Sequence, residues 1–165
     1  MAVIFAAIYV YESGAGHAGY VPGDSEPLAP TFSLVDTEGN AVSLAQYRGS
    51  VVILDFMATW CQPCKTQIYN LKEIYASYAT RGVKIISLGV DSTESTARLQ
   101  EYKLENGASW QFVRDTAGVS IEPEYSATQI PTIVIIDQTG HIVKWTQGIT
   151  SASEIRQVLD PLLGA

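Results

Sequence analysis

Cysteine is nearly absent from this chain, with two thiols in 165 residues, at positions 61 and 64. That density excludes a disulfide-stapled scaffold, because a chain of this length buries roughly two thirds of its unfolded surface in one core without cross-links. A bridge across so short a loop would also restrain the unfolded chain little. Histidine is equally scarce, and His17 and His141 lie far from the thiols in sequence. Two thiols and two distant imidazoles do not assemble the ligand set of a zinc site, so no metal and no other cofactor is expected; the one metal alternative is a copper-binding variant in which His141 approaches the thiols. Basic clusters are missing too. The formal charge is -7, and no Lys or Arg precedes Arg48, which argues against nucleic acid or anionic lipid as a partner and against a secretory signal with a basic start.

The longest apolar run, "AVIFAAIYVY" from Ala2 to Tyr11, has half the roughly twenty residues that a bilayer span needs. Two readings of it stand: the end of a membrane anchor or signal, or a strand packed on the domain. The stretch that follows, "ESGAGHAGYVPGDSEPLAP", is rich in Gly, Pro and small residues, as a flexible tether is. His17 within it reads as a solvated side chain. The expected organisation is therefore an apolar segment and tether over residues 1–25 and one domain over residues 26–165.

Inside the domain the pattern is regular. "TFSLVDTEGNAVSL" predicts a hairpin turning at Glu38, Gly39 and Asn40, and "SVVILDFMA" predicts a buried strand. Pro63 opens a helix in which Ile68, Leu71, Ile74, Tyr75 and Tyr78 recur at three and four residue spacings, with Gly82 as its stop. "VKIISLGVD" is a second buried strand. The next helix is expected to be capped by Asp91 or Ser92, with Glu94 in its first turn and Gly107 as terminator. A short strand follows around Phe112 and Val113. Residues 117–126 are ambiguous, and Pro123 forbids one uninterrupted helix there. "PTIVIIDQTGHIVKW" is a hairpin turning at Gln138 to Gly140, and Ser151 with Glu154 caps a terminal helix. This order predicts an α/β sandwich around a mixed sheet.

The two cysteines fall at a strand-to-helix junction. Unpaired N–H groups of a helix start point at Cys61 and favour its thiolate, lowering a thiol from about 8.5 toward neutrality. Cys61 is thus read as the reactive thiol at the exposed helix start. Cys64, one turn on, lies within reach of a disulfide. Asp55 inside an apolar strand is costly unless paired or protonated, so a raised pKa and a proton-transfer role are expected; the plainer alternative is a carboxylate hydrogen-bonded to backbone.

These residues carry a resemblance. "DFMATWCQPCK" is similar to the active-site strand and helix of the thioredoxin superfamily, and "QIPTIVIIDQTGHIV" resembles its strand pair that begins with a cis-proline facing the cysteines. With the upstream hairpin and the extra helix and strand between Asp91 and Ile130, the pattern resembles the TlpA/ResA-like thiol-disulfide oxidoreductases over about residues 26–163. The resemblance implies a three-layer thioredoxin-like sandwich, a mixed central sheet flanked by helices with an N-terminal β-hairpin and a central helix-strand insertion. It implies reduction of protein disulfides, with Cys61 attacking, Cys64 resolving and Asp55 assisting proton transfer. Trp60, Gln62, Pro63, Ile130 and Pro131 are the substrate-facing set, and the loop before Pro131 receives the substrate as an added strand. A membrane or soluble dithiol donor, a monomeric state and an extracytoplasmic, membrane-tethered location belong to the same expectation. Two positions depart from the family pattern: Gln67 and Tyr69 stand where many such proteins have glutamate and proline. A disulfide-forming oxidant, a peroxidase-like relative and a redox-sensing binding module remain as alternatives; against the peroxidase, Trp60 precedes Cys61 where Thr and Pro surround a peroxidatic cysteine.

Overall fold

The computed structural model describes residues 27–115, 121 and 124–164. The apolar run, the tether with His17, the boundary at residue 26 and Pro123 lie outside the described residues.

The first element is the expected hairpin, strands β1 (Ser33–Val35) and β2 (Ala41–Ser43), antiparallel with Leu34 opposite Val42. Gly39 holds φ at +90°, which only glycine adopts without strain, so the turn closes where the sequence places it. After a 3-10 turn over Leu44–Tyr47, every residue of β3 (Val51–Met57) is buried. Helix α1 (Gln62–Tyr78) buries Cys64, Gln67, Ile68, Leu71, Ile74 and Tyr78, and Gly82, at φ +93°, ends the 3-10 extension over Ala79–Arg81. Strand β4 (Val83–Gly89) follows.

Helix α2 (Thr96–Glu105) starts later than expected. Its cap is Ser95, whose hydroxyl accepts the Arg98 N–H, and neither Asp91 nor Ser92 caps it. Glu94 is not in its first turn; it stands before the cap and turns inward. Strand β5 (Gln111–Arg114) leads to β6 (Thr132–Ile136) and β7 (Ile142–Gln147). Helix α3 (Ala152–Leu162) carries the predicted Ser151–Glu154 capping box.

The main sheet runs β5-β4-β3-β6-β7, with β3 parallel to β4 and antiparallel to β6. Side chains of β3 alternate between two cores. Val51, Ile53 and Met57 share one with α1, α2, α3 and both cysteines. Val52, Leu54 and Phe56 share the other with Leu34, Val42, Leu44, Ile121 and Tyr125. The molecule is thus a three-layer α/β thioredoxin-like sandwich: the described helices form one outer layer, and the hairpin with the segment near Tyr125 forms the other. None of the described helices is long and apolar enough to cross a membrane.

Candidate active site

Strand β3 delivers the chain to the helix start. After Met57 a short turn is closed by the Cys61 N–H donating to the Ala58 carbonyl at 3.2 Å, and Cys61 becomes the N-cap of α1, with Pro63 in its first turn. Cys61 and Cys64 are joined in a disulfide, S–S 2.01 Å. Both are buried, Cys61 to 3% and Cys64 to 2% relative exposure, which corrects the expectation that Cys61 stands exposed. A capping side chain folds back over the first helical turn, so its sulfur is tucked onto the helix end. Backbone environment, not exposure, separates the two: the Cys61 sulfur accepts the Cys64 N–H at 3.2 Å. That N–H and the positive end of the helix dipole both face the Cys61 sulfur.

Asp55 lies on the same face of β3 as Ile53 and Met57, whose core holds both cysteines. It is 3% exposed. Oδ2 accepts the Ser87 hydroxyl at 2.8 Å, and that hydroxyl oxygen accepts the Trp110 indole N–H at 2.9 Å. Oδ1 has no hydrogen-bond partner. The expected alternative of a backbone-bonded carboxylate is therefore not what is found. Burial pushes the Asp55 pKa up to about 7, and the single Ser87 hydrogen bond only partly opposes this.

A second buried carboxylate was not singled out in the sequence. Glu94 accepts the Thr59 backbone N–H at 3.0 and 3.2 Å and also the Thr59 hydroxyl. Three residues earlier, Asp91 accepts the Trp60 indole N–H at 2.6 Å. Hydrogen bonds from Thr93 and from Trp60 hold the Asp91 carboxyl below its ordinary value, so it is ionised at neutral pH. The loop between β4 and α2 thereby grips the two residues just before Cys61 with two acids. The Trp60 ring remains 66% exposed beside the disulfide. The only sequence signal for this was the run of cap-competent residues Asp91 to Ser95.

The other expected residues divide by position. Gln62 and Pro63 are exposed at the start of α1. The Ile130–Pro131 peptide is cis. Because Phe56 pairs with Thr132, Pro131 sits level with the end of β3, where the cysteine turn leaves. Ile130 is half-buried and packs against the core that contains both cysteines. Pro131 is buried, and its carbonyl accepts the Gly148 N–H at 2.8 Å. Gln67 is fully buried: its Oε1 accepts the Thr150 N–H at 2.8 Å and its Nε2 donates to the Thr150 carbonyl at 3.1 Å. Tyr69 is 64% exposed. His141 lies in the β6–β7 turn, at the end of β6 away from Pro131 and the cysteines. Among the described residues no group of three or more His, Cys, Asp and Glu side chains is placed to hold a metal ion.

A family model described as the AhpC/TSA family matches residues 26–145. The chain is 31% identical over 134 residues to the thiol-disulfide oxidoreductase ResA of Geobacillus thermodenitrificans (strain NG80-2), a match covering 81% of this chain and 75% of that protein. It is 30% identical over 132 residues to ResA of Bacillus subtilis (strain 168), covering 80% and 72%. Among solved structures it resembles a thiol:disulfide interchange protein of the thioredoxin family from Chlorobium tepidum TLS, with a TM-score of 0.75, 25% identity, and coverage of 86% of this chain and 99% of that one.

Proposed function

Since this chain belongs to the AhpC/TSA family, and within it is a ResA-like thiol-disulfide oxidoreductase, we propose that it reduces protein disulfides with Cys61 as nucleophile and Cys64 as resolving thiol. The observation that carries the assignment of roles is the Cys61 sulfur capping α1 and accepting the Cys64 N–H. Cys61 thiolate attacks one substrate sulfur, the substrate disulfide breaks, and a mixed disulfide forms. Cys64 then loses its proton to Asp55 and attacks the Cys61 sulfur, which expels the reduced substrate and leaves the Cys61–Cys64 disulfide. Two electrons pass to the substrate, and a dithiol donor returns them. A carboxyl with a pKa of about 7 is suited to take that proton at neutral pH.

Trp60, Gln62, Pro63, Ile130 and Pro131 form the docking surface in this reading, with the extended chain before Pro131 pairing with a substrate segment. The protein acts as a monomer in an extracytoplasmic compartment, tethered through its N-terminal segment. What supports this location is the succession of apolar run, small-residue tether and domain, together with the likeness to ResA. Equilibration with a glutathione redox buffer tests the direction of electron flow. A reductant is expected to sit near about -270 mV; a value near about -120 mV would make the protein a disulfide-forming oxidant instead.

A further inference from the structure

Asp55, Ser87 and Trp110 form a buried chain of hydrogen bonds whose directions are fixed by chemistry. Sheet register puts Asp55 of β3 opposite Ser87 of β4, and Ser87 opposite Phe112 of β5. Trp110, two residues before Phe112, belongs to the same core, its ring 6.1 Å from that of Phe112 and 5.6 Å from that of Tyr75 between centroids. All three members of the chain are buried. An indole N–H only donates, so at 2.9 Å it occupies a lone pair of the Ser87 hydroxyl oxygen. The single hydrogen of that hydroxyl goes to Asp55 Oδ2, 2.8 Å away, the acceptor that the structure gives it.

The two carboxyl oxygens therefore differ. A proton arriving on Oδ2 would have to share that oxygen with the Ser87 hydrogen or turn it away, and turning it away strands a buried donor. Oδ1 is buried and has no partner, so a proton placed there displaces nothing. The Ser87 hydrogen bond is stronger to a charged carboxylate than to a neutral carboxyl, so the chain supports the ionised form against burial. Other titratable groups around this core are Cys61, Cys64, Tyr69, Tyr75 and Tyr78 on α1, Arg98 and Tyr102 on α2, and Glu94 on the β4–α2 loop. The shift of Asp55 itself comes from burial and the Ser87 bond.

We propose that Trp110, acting through Ser87, decides which oxygen of Asp55 carries the proton: Oδ1 takes it and returns it, while Oδ2 accepts from Ser87 in both states. In the resolving step the Cys64 S–H bond breaks, its electron pair stays on sulfur, and an O–H bond forms at Oδ1. When the dithiol donor later opens the Cys61–Cys64 disulfide, Cys64 leaves as thiolate and takes this proton back, so Asp55 needs no onward acceptor. Trp110 and Ser87 are positioning residues, and their role in turnover rests on the reading of Asp55 as the base of the resolving step.

The test reads the carbonyl stretch of protonated Asp55 in infrared difference spectra of the oxidised protein between pH 5 and 9, identified as the band that Asp55→Asn lacks. With the proton on Oδ1 the carbonyl oxygen is Oδ2, so Ser87→Ala is expected to raise the stretching frequency and to move the pH midpoint of the band upward by about half a unit to one unit. Trp110→Phe keeps a ring against Phe112 and Tyr75 but loses the N–H, and should shift both in the same direction by less. Ser87→Thr keeps the hydroxyl and should restore both. In the reduced protein, the second release of thionitrobenzoate from one equivalent of DTNB near pH 6 should slow about three- to tenfold in Ser87→Ala. A frequency that Ser87→Ala leaves unmoved or lowers would overturn the proposal, as would Trp110→Phe with the unaltered frequency and midpoint. If the band shifts as expected while Asp55→Asn releases thionitrobenzoate at the unaltered rate, the reading of Asp55 as base falls and the proton site stands. Absence of an Asp55 band throughout this pH range would overturn both.

Discussion

Two buried acids, Glu94 and Asp55, meet different sets of donors. Glu94, on a loop, spends both oxygens on the N–H and hydroxyl of Thr59, donors that would otherwise be unpaired. Asp55, in the middle of a sheet, has one hydroxyl partner and one bare oxygen. A carboxylate surrounded by donors holds structure in place; one that is under-solvated is poised to change protonation. The same functional group is thus a clamp on the Thr59 turn in one region and an under-solvated carboxyl of raised pKa in the other, and what differs is the count of donors facing it.

The contrast can be broken experimentally, first at Asp55. Its native pKa of about 7 lies above the ordinary 3.8, so between those pH values the folded protein holds a proton that the unfolded chain has released. The contribution of Asp55 to stability is therefore full below about pH 4, falls as pH rises, and levels off above about pH 7. Asp55→Asn removes this loss. In urea melts of the oxidised protein, the variant should be more stable than the parent by up to roughly 4 kcal/mol at pH 8, with the gap closing at pH 4. Equal gaps at both pH values would show that Asp55 is solvated or paired.

Glu94→Ala is expected to do the reverse. It strands the Thr59 N–H and hydroxyl, for a loss of roughly 2 kcal/mol, or a thermal midpoint lower by about 4–8 °C. The pH midpoint of the resolving step should stay where it was. A shifted midpoint with little loss of stability would assign Glu94 to proton transfer and erase the distinction. The smallest effect belongs to Asp91→Ala, which frees the Trp60 indole at the surface. Turnover on a protein disulfide should change by less than about threefold, seen in KM before kcat, while Trp fluorescence reports the loosened ring. An unchanged emission spectrum would mean that Asp91 does not set the Trp60 position.

The architecture was largely legible from the chain itself, because hydrophobic periodicity and turn residues are local signals. The apolar run of β3, the stop at Gly82 and the Ser151–Glu154 capping box all appear where neighbours in sequence dictate them. The strand-to-helix setting of Cys61 and Cys64 was readable for the same reason. Glu94 was not, since Asp91, Ser92, Thr93 and Ser95 could each cap a helix, and what removes Glu94 from that competition is Thr59, far away in sequence. Ser87 and Trp110 escaped too: Ser87 meets Asp55, and Trp110 meets Ser87, only because of which strand lies beside which. The burial of Cys61 was misjudged because a helix start is exposed on average, whereas this capping sulfur turns back onto its own first turn.

Gln67 has a consequence for how the helices respond to acid. Its amide presents one donor and one acceptor to the carbonyl and N–H of Thr150, and Asn70 adds a second donor at 3.1 Å to the same carbonyl. This imitates a backbone pairing and ties α1 to the residue before the cap of α3. A carboxylate in that position could still receive the N–H, but its second oxygen would oppose the carbonyl lone pairs unless it were protonated. Glutamate there would make the joint between the two helices a pH-gated latch, whereas the amide keeps it shut at every pH.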